Sequence, residues 1–129
     1  MRVVFVCVEN SNRSQMAEAF ARMAGIEAYS AGSRPSGKVN AKAIEAMGEL
    51  GYDLAGHSSK GLTDLPDVEF DVAVTMGCGD QCPNLRAARH EDWQIPDPKE
   101  MSPDEFRAVR DLIGAKVQAL VGAGRPTHT

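Results

Sequence analysis

Cys7 and Arg13 stand six residues apart in the run Cys7-Val8-Glu9-Asn10-Ser11-Asn12-Arg13-Ser14. A short loop between a strand and a helix N-terminus can aim several backbone N–H groups at one point. That point is also the positive end of the helix dipole. Arg13 adds a planar fork that matches two oxygens of a tetrahedral anion. The same field favours the thiolate of Cys7, which is the nucleophilic form. Asn10 belongs to the few residue types that tolerate the left-handed backbone of a tight cradle. The chemistry this predicts is attack by a thiolate on an oxyanion held by residues 8–14. A cysteine and an arginine at this spacing also occur by chance, beside a buried strand-end thiol and a surface arginine. The weight comes from their place between a strand and a helix.

An oxygen leaving a tetrahedral centre needs a proton. Asp97, in Ile95-Pro96-Asp97-Pro98, is the candidate acid. The prolines stiffen its loop, and a partly dry site would push a carboxyl toward acid duty. Asp-Pro is also a common turn dipeptide, so the spacing alone leaves both readings open. Two more cysteines, Cys78 and Cys82, bring the count to three. An odd number does not suggest a disulfide framework. Reactive thiols, metal ligands and inert buried cysteines remain as options. Zinc fits poorly, because only His90 is near in sequence and four ligands are wanted. His57, His90 and His128 are isolated in polar surroundings and read as surface or capping residues.

These residues need elements to position them. Val3 to Val8 is a continuous apolar run rich in β-branched side chains, the pattern of a strand buried on both faces. Met16, Ala17, Ala19, Phe20 and Met23 recur at helical spacing over Ser14 to Met23, and Gly25 is the stop. Glu27 to Ala31 reads as a second strand. Asn40 caps a helix over 41–50, and a short helical turn fits near Leu62. Asp71 to Met76 reads as a third buried strand, followed by a loop over Gly77 to Pro83 that runs into a short helix. Trp93 to Ile95 is the candidate fourth strand. Ser102 and Glu105 form a capping-box pattern at the start of a C-terminal helix. Gly122 to Thr129 reads as a frayed tail.

The order β-α-β-α-β-α-β-α predicts an α/β fold, a three-layer sandwich with a four-stranded parallel sheet and helices on both faces. In such sheets ligands sit at the carboxyl ends of the strands, which is where Cys7 falls. The chain has 129 residues, 43% apolar and 25% charged, as expected of one globular domain spanning 1–129. Its net charge of -4 argues against nucleic-acid or anionic-membrane partners. No apolar run approaches the roughly 18 residues of a membrane span. Arg2 to Val8 is too short for a signal peptide. A cytoplasmic monomer is the expectation.

Taken together, Cys7 to Glu18 (C-V-E-N-S-N-R-S-Q-M-A-E), Tyr29 to Gly32 (Y-S-A-G), Val74 to Met76 (V-T-M) and the run W-Q-I-P-D-P from Trp93 resemble the arsenate reductases built on the low-molecular-weight protein tyrosine phosphatase fold. The resemblance spans nearly the whole chain. It implies Cys7 as nucleophile, Arg13 as oxyanion clamp and Asp97 as general acid. The phosphatases of this fold usually follow the loop serine with proline, whereas Gln15 follows Ser14 here. They also carry tyrosines just after Asp-Pro, where this chain has Lys99 and Glu100. An aryl substrate wants an aromatic wall, and no candidate for one is evident.

The resemblance further implies a relay. Cys7 attacks arsenate, Cys78 attacks the Cys7 sulfur as arsenite leaves, and Cys82 carries the disulfide to the surface. A helical i,i+4 pair has Cα atoms about 6 Å apart, within disulfide range. Thioredoxin-coupled relatives space these two cysteines further apart, and the C-G-D-x-C-P form resembles relatives served by a small thiol such as mycothiol. The reductant is therefore expected to be thioredoxin or a low-molecular-weight thiol of the mycothiol or glutathione type, with no tightly bound cofactor and no metal. A phosphatase acting on phosphotyrosine or a small phosphoester is the alternative activity. Some relatives bind potassium beside the loop through positions matching Asn10, Glu18 and Ser30 plus an aspartate. That aspartate position falls at about Lys60, which is either an ammonium in the cation's place, pairing with Glu18 and steadying Asn10, or a solvated surface lysine.

Overall fold

The structure is a computed structural model, and it describes residues 1–77 and 85–123. Its elements are β1 (Arg2–Cys7), α1 (Arg13–Met23), β2 (Glu27–Gly32), α2 (Ala41–Gly48), β3 (Phe70–Thr75), β4 (Ala87–Asp92) and α3 (Pro103–Ala123). Single turns of 3-10 helix at Leu54–Gly56 and Leu62–Asp64 precede β3, the second where a turn near Leu62 was expected. The expected short helix after Gly77, with Cys78 and Cys82, falls outside the described residues.

The four strands form one parallel sheet in the order β2-β1-β3-β4. β1 is paired on both sides, with Cys7 opposite Gly32 and Val6 opposite both Ala31 and Thr75. That central place is why its sequence is apolar without alternation. Val3, Phe5 and Cys7 face a core built with Met16, Ala17, Met47, Phe106 and Ile113 of the three α-helices. Val4 and Val6 face the opposite side. There Leu62, Leu65 and Val68, in and around the second 3-10 turn, cover them among the described residues. No described helix is long and apolar enough to cross a membrane.

The fourth strand differs from the expectation. It is Ala87–Asp92, and Trp93 to Ile95 follow it. β4 lies at the sheet edge, paired only to β3, and its side chains are mostly exposed. It therefore needs no apolar pattern, and backbone pairing alone defines it. The backbone N–H of Trp93 adds one bond to the Thr75 carbonyl, 2.8 Å. The Trp93 and Ile95 side chains are apolar because they are buried, packing into the helix-side core.

Candidate active site

Residues 8–12 carry the chain from the end of β1 to the start of α1, and their carbonyls account for the loop's shape. The Cys7 carbonyl accepts from Ser33 N, Val8 from Arg34 N, Glu9 from Ser36 N, Ser11 from Asn40 N and Asn12 from Met16 N, all within 2.7–3.2 Å. The Asn10 carbonyl accepts from Gln15 Nε2, 3.1 Å. In a trans peptide the N–H of the next residue points opposite to the carbonyl. Each amide hydrogen of 8–13 therefore points away from the partner that holds the preceding carbonyl. Asn10 has φ of 51°, the turn of the cradle, and among the described residues it is the one non-glycine with positive φ.

Gly32 at the end of β2 makes this packing possible. A Cβ there would stand 2.5 Å from the Val8 carbonyl oxygen and 2.9 Å from the Asn10 nitrogen. Both are backbone atoms of the loop, so only glycine lets β2 come this close.

Cys7 is 2% exposed, and its Sγ lies 2.9 Å from Ser14 Oγ. Arg13 lines the same cavity as Cys7. Its Nη1 donates to the Ile95 carbonyl, 3.1 Å, and its Nη2 lies 3.9 Å from Asp97 Oδ2. Gly77, with φ of 84°, leaves the room the guanidinium fills, because a Cβ there would collide with Arg13 Nη1. Asp97 is held by Lys99 N on its Oδ1, 3.1 Å, and its side chain is 46% exposed. The dry setting expected for it is thus not the one observed. Cys7, Glu9, Ser11, Asn12, Arg13 and Asp97 line a cavity of about 10 Å³, on the scale of one water-sized group. A larger cleft of about 60 Å³ between α2 and α3, lined by residues such as Lys42, Glu49 and Phe106, contains none of these residues.

Behind the loop, Glu18 is buried among donors. Ser30 Oγ donates to it at 2.5 Å and Arg22 Nε at 2.7 Å, and Lys60 Nζ lies 3.9 Å away. Lys60 meets Asn10 through its backbone, whose N–H donates to Asn10 Oδ1 at 2.7 Å, while its ammonium donates to the Ser58 carbonyl, 3.1 Å.

His57, expected as a surface or capping residue, caps the turn Leu54–Gly56 with its backbone N–H on the Leu54 carbonyl, 3.0 Å, but its side chain is not at the surface. Its ring sits between Gln15 Oε1, 3.0 Å from Nδ1, and the Tyr52 hydroxyl, 2.6 Å from Nε2. Burial pushes His57 below its ordinary value, with the Glu18 carboxylate opposing the shift. Gln15, singled out in sequence only for its place after Ser14, is fully buried and joins Asn10 to Ser58. Nothing local in the sequence marks His57, Tyr52, Gly32 or Gly77 for these places.

A sequence model of the low molecular weight phosphotyrosine protein phosphatase family matches residues 2–125. Among curated proteins, the glutaredoxin arsenate reductase of Synechocystis sp. is 37% identical over 93% of this chain and 95% of its own length. Arsenate reductase 2 of Staphylococcus saprophyticus is 41% identical over 90% of this chain and 92% of its own. Among solved structures, an arsenate reductase in the phosphate binding state superposes with a TM-score of 0.83 at 37% identity, covering 95% of this chain and 97% of that one. The four-stranded parallel sheet, the Cys7–Arg13 cradle and a match over nearly the full length carry one conclusion: this chain belongs to the low molecular weight phosphotyrosine protein phosphatase family.

Proposed function

We propose that this protein is a thiol-dependent arsenate reductase that converts arsenate to arsenite. The cavity carries this reading. Among the described residues it has room for one small group and is lined by Cys7, Arg13 and Asp97, with no aromatic side chain. A small tetrahedral oxyanion suits it and an aryl ring does not. Relatives named arsenate reductases, at 37% and 41% identity over most of their length, support the same activity.

In the proposed mechanism the N–H groups of residues 8–13 and the Arg13 fork hold three arsenate oxygens. The Cys7 thiolate attacks arsenic, a sulfur–arsenic bond forms, and an arsenic–oxygen bond breaks. Asp97 gives its proton to the departing oxygen, which leaves as water. A second thiolate then attacks the Cys7 sulfur. The sulfur–arsenic bond breaks with its electron pair left on arsenic, which departs as arsenite, and Cys7 is left in a disulfide. Cys78 is the proposed attacker, with Cys82 next in the relay, and an external low-molecular-weight thiol is the competing one. The name of one relative, a glutaredoxin arsenate reductase, supports a glutaredoxin or glutathione-type system as the final reductant.

The Lys60 ammonium near Glu18 supports its proposed role as a built-in replacement for a cation behind the loop. The family model's name favours a second reading, phosphoester hydrolysis by the same Cys7, Arg13 and Asp97. The test is arsenate reduction by purified protein supplied in turn with thioredoxin, glutaredoxin plus glutathione, and mycothiol plus mycoredoxin, alongside Cys78→Ser and Cys82→Ser. Turnover with one donor, lost in Cys78→Ser, is the expected result. Phosphoester hydrolysis without arsenate turnover, unchanged in both variants, would overturn the reductase reading.

A further inference from the structure

We infer that Gln15 is a positioning residue that fixes the direction of a buried hydrogen-bond chain ending on Cys7, so that the Ser14 proton is delivered to the sulfur. This rests on Cys7 being the nucleophile.

An amide side chain has a donor end and an acceptor end of nearly the same shape, so its partners must decide which end goes where. Backbone groups decide here, because they cannot exchange roles. Lys60 N–H only donates, and it meets Asn10 Oδ1 at 2.7 Å. The Asn10 and Ser58 carbonyls only accept, and both lie on Gln15 Nε2, at 3.1 and 2.9 Å. Asn10 Oδ1 lies on that nitrogen too, at 2.9 Å, so the two hydrogens of Nε2 serve three acceptors and one is shared. With its oxygen engaged twice, Asn10 turns Nδ2 to Ser14 Oγ and donates to it at 2.8 Å. Ser14 has one hydroxyl proton, and the remaining partner 2.9 Å away is Cys7 Sγ. The sulfur is thereby cast as acceptor, the role of a thiolate.

The same logic runs outward. Gln15 Oε1 must accept, so His57 carries a proton on Nδ1, and its Nε2 takes the Tyr52 hydroxyl proton. Every bond from Tyr52 to Cys7 then points its proton the same way, an arrangement in which each bond polarises the next. Gln15 is the hinge of the chain. Remove its nitrogen and Asn10 keeps only Lys60 N on its side-chain oxygen. The Asn10 and Ser58 carbonyls lose that donor in the interior, and the Asn10 amide is held in direction by Lys60 N alone, so its nitrogen is kept on Ser14 less firmly and the serine proton is drawn from sulfur wherever the amide turns. The charged groups around the chain stay in place: Arg13 and Asp97 at the cavity, Glu18 and Arg22 of α1, and Lys60 and Asp53 around His57.

The test replaces Gln15 by methionine, of similar length but with neither donor nor amide oxygen. The rate of Cys7 alkylation by iodoacetamide is followed against pH, with the Cys7 peptide resolved by mass spectrometry. Loss of a hydrogen bond to a charged group moves the midpoint up by about one pH unit, or about tenfold in rate below it. Ser14→Ala moves it by a similar amount. The double variant shows no further shift, because Gln15 acts through Ser14. An unchanged midpoint in Gln15→Met, or a shift that adds in full to that of Ser14→Ala, overturns the proposal. If Gln15→Met does not fold, nitrogen NMR of the wild-type ring decides. Neutral His57 protonated on Nδ1 supports the chain, and protonation on Nε2 overturns its direction. None of these readouts needs arsenate, so failure of the reductase reading and failure of this one are separable.

Discussion

Gly77→Ala tests the seat of Arg13. The substitution has two separable costs. The backbone at φ of 84° disfavours a side chain by about 1–2 kcal/mol. The new Cβ also collides with Arg13 Nη1 and drives the guanidinium off the Ile95 carbonyl. A hydrogen bond from a charged group is worth about 1.5–3 kcal/mol, so oxyanion affinity should fall about ten- to hundredfold. Gly51→Ala is the control, since Gly51 has φ of 85° with nothing within 4 Å of its would-be Cβ. Both variants should lose the backbone strain energy by urea denaturation, and Gly77→Ala should lose more because the Arg13–Ile95 bond goes as well. Only Gly77→Ala should lose protection of Cys7 from alkylation by phosphate or arsenate. Equal protection in the two variants would refute the steric argument and detach Arg13's position from Gly77.

Gly32→Ala forces a methyl group against the Val8 carbonyl and the Asn10 nitrogen. Overpacking against backbone costs about 1–3 kcal/mol, so a lowered Tm together with weakened oxyanion protection is expected, and an unchanged Tm would contradict the close approach. His57 is held below its ordinary value by burial, so the folded protein takes up its proton less readily than the unfolded chain. Its contribution is complete above about pH 6.5 and is lost as the pH falls below that. His57→Gln, which keeps a donor for Gln15, should flatten the fall in urea midpoint on acidification; an unaltered slope would assign that fall to other groups. Activity of the wild type should not rise with added potassium, whereas Lys60→Met should gain a potassium dependence. Steep potassium activation of the wild type would sink the proposed role of Lys60 beside Glu18.

The parts legible in the sequence are those whose pattern is local. β1 is buried on both faces, so its apolar run announced it. α3 buries one stripe, and its periodicity marked it; α1 was marked by its apolar spacing too, yet it is buried all round over residues 13–19, and Met23 of the expected stripe is exposed. β4 escaped because an edge strand with exposed side chains carries no hydrophobic signal, while the apolar Trp93 and Ile95 beyond it did. The same division holds at the site. Cys7, Asn10 and Arg13 lie in one loop and could be read together. What seats Arg13 is a backbone carbonyl at Ile95 and an absent Cβ at Gly77, neither of which a residue type encodes. The ring contacts of His57, read in sequence as a surface or capping residue, were hidden because its partners, Gln15 and Tyr52, are brought to it by α1 and by the turn after α2.

The bond from Arg13 to Ile95 joins residues 82 positions apart. During synthesis Cys7 and Arg13 leave the ribosome well before the carbonyl that seats the arginine, which is made 82 residues after Arg13. A nascent or truncated chain therefore displays the thiol without its finished oxyanion clamp. The clamp is finished only once Ile95 has been made and folded back, and a fragment ending before Ile95 carries the cysteine without that anchor for Arg13.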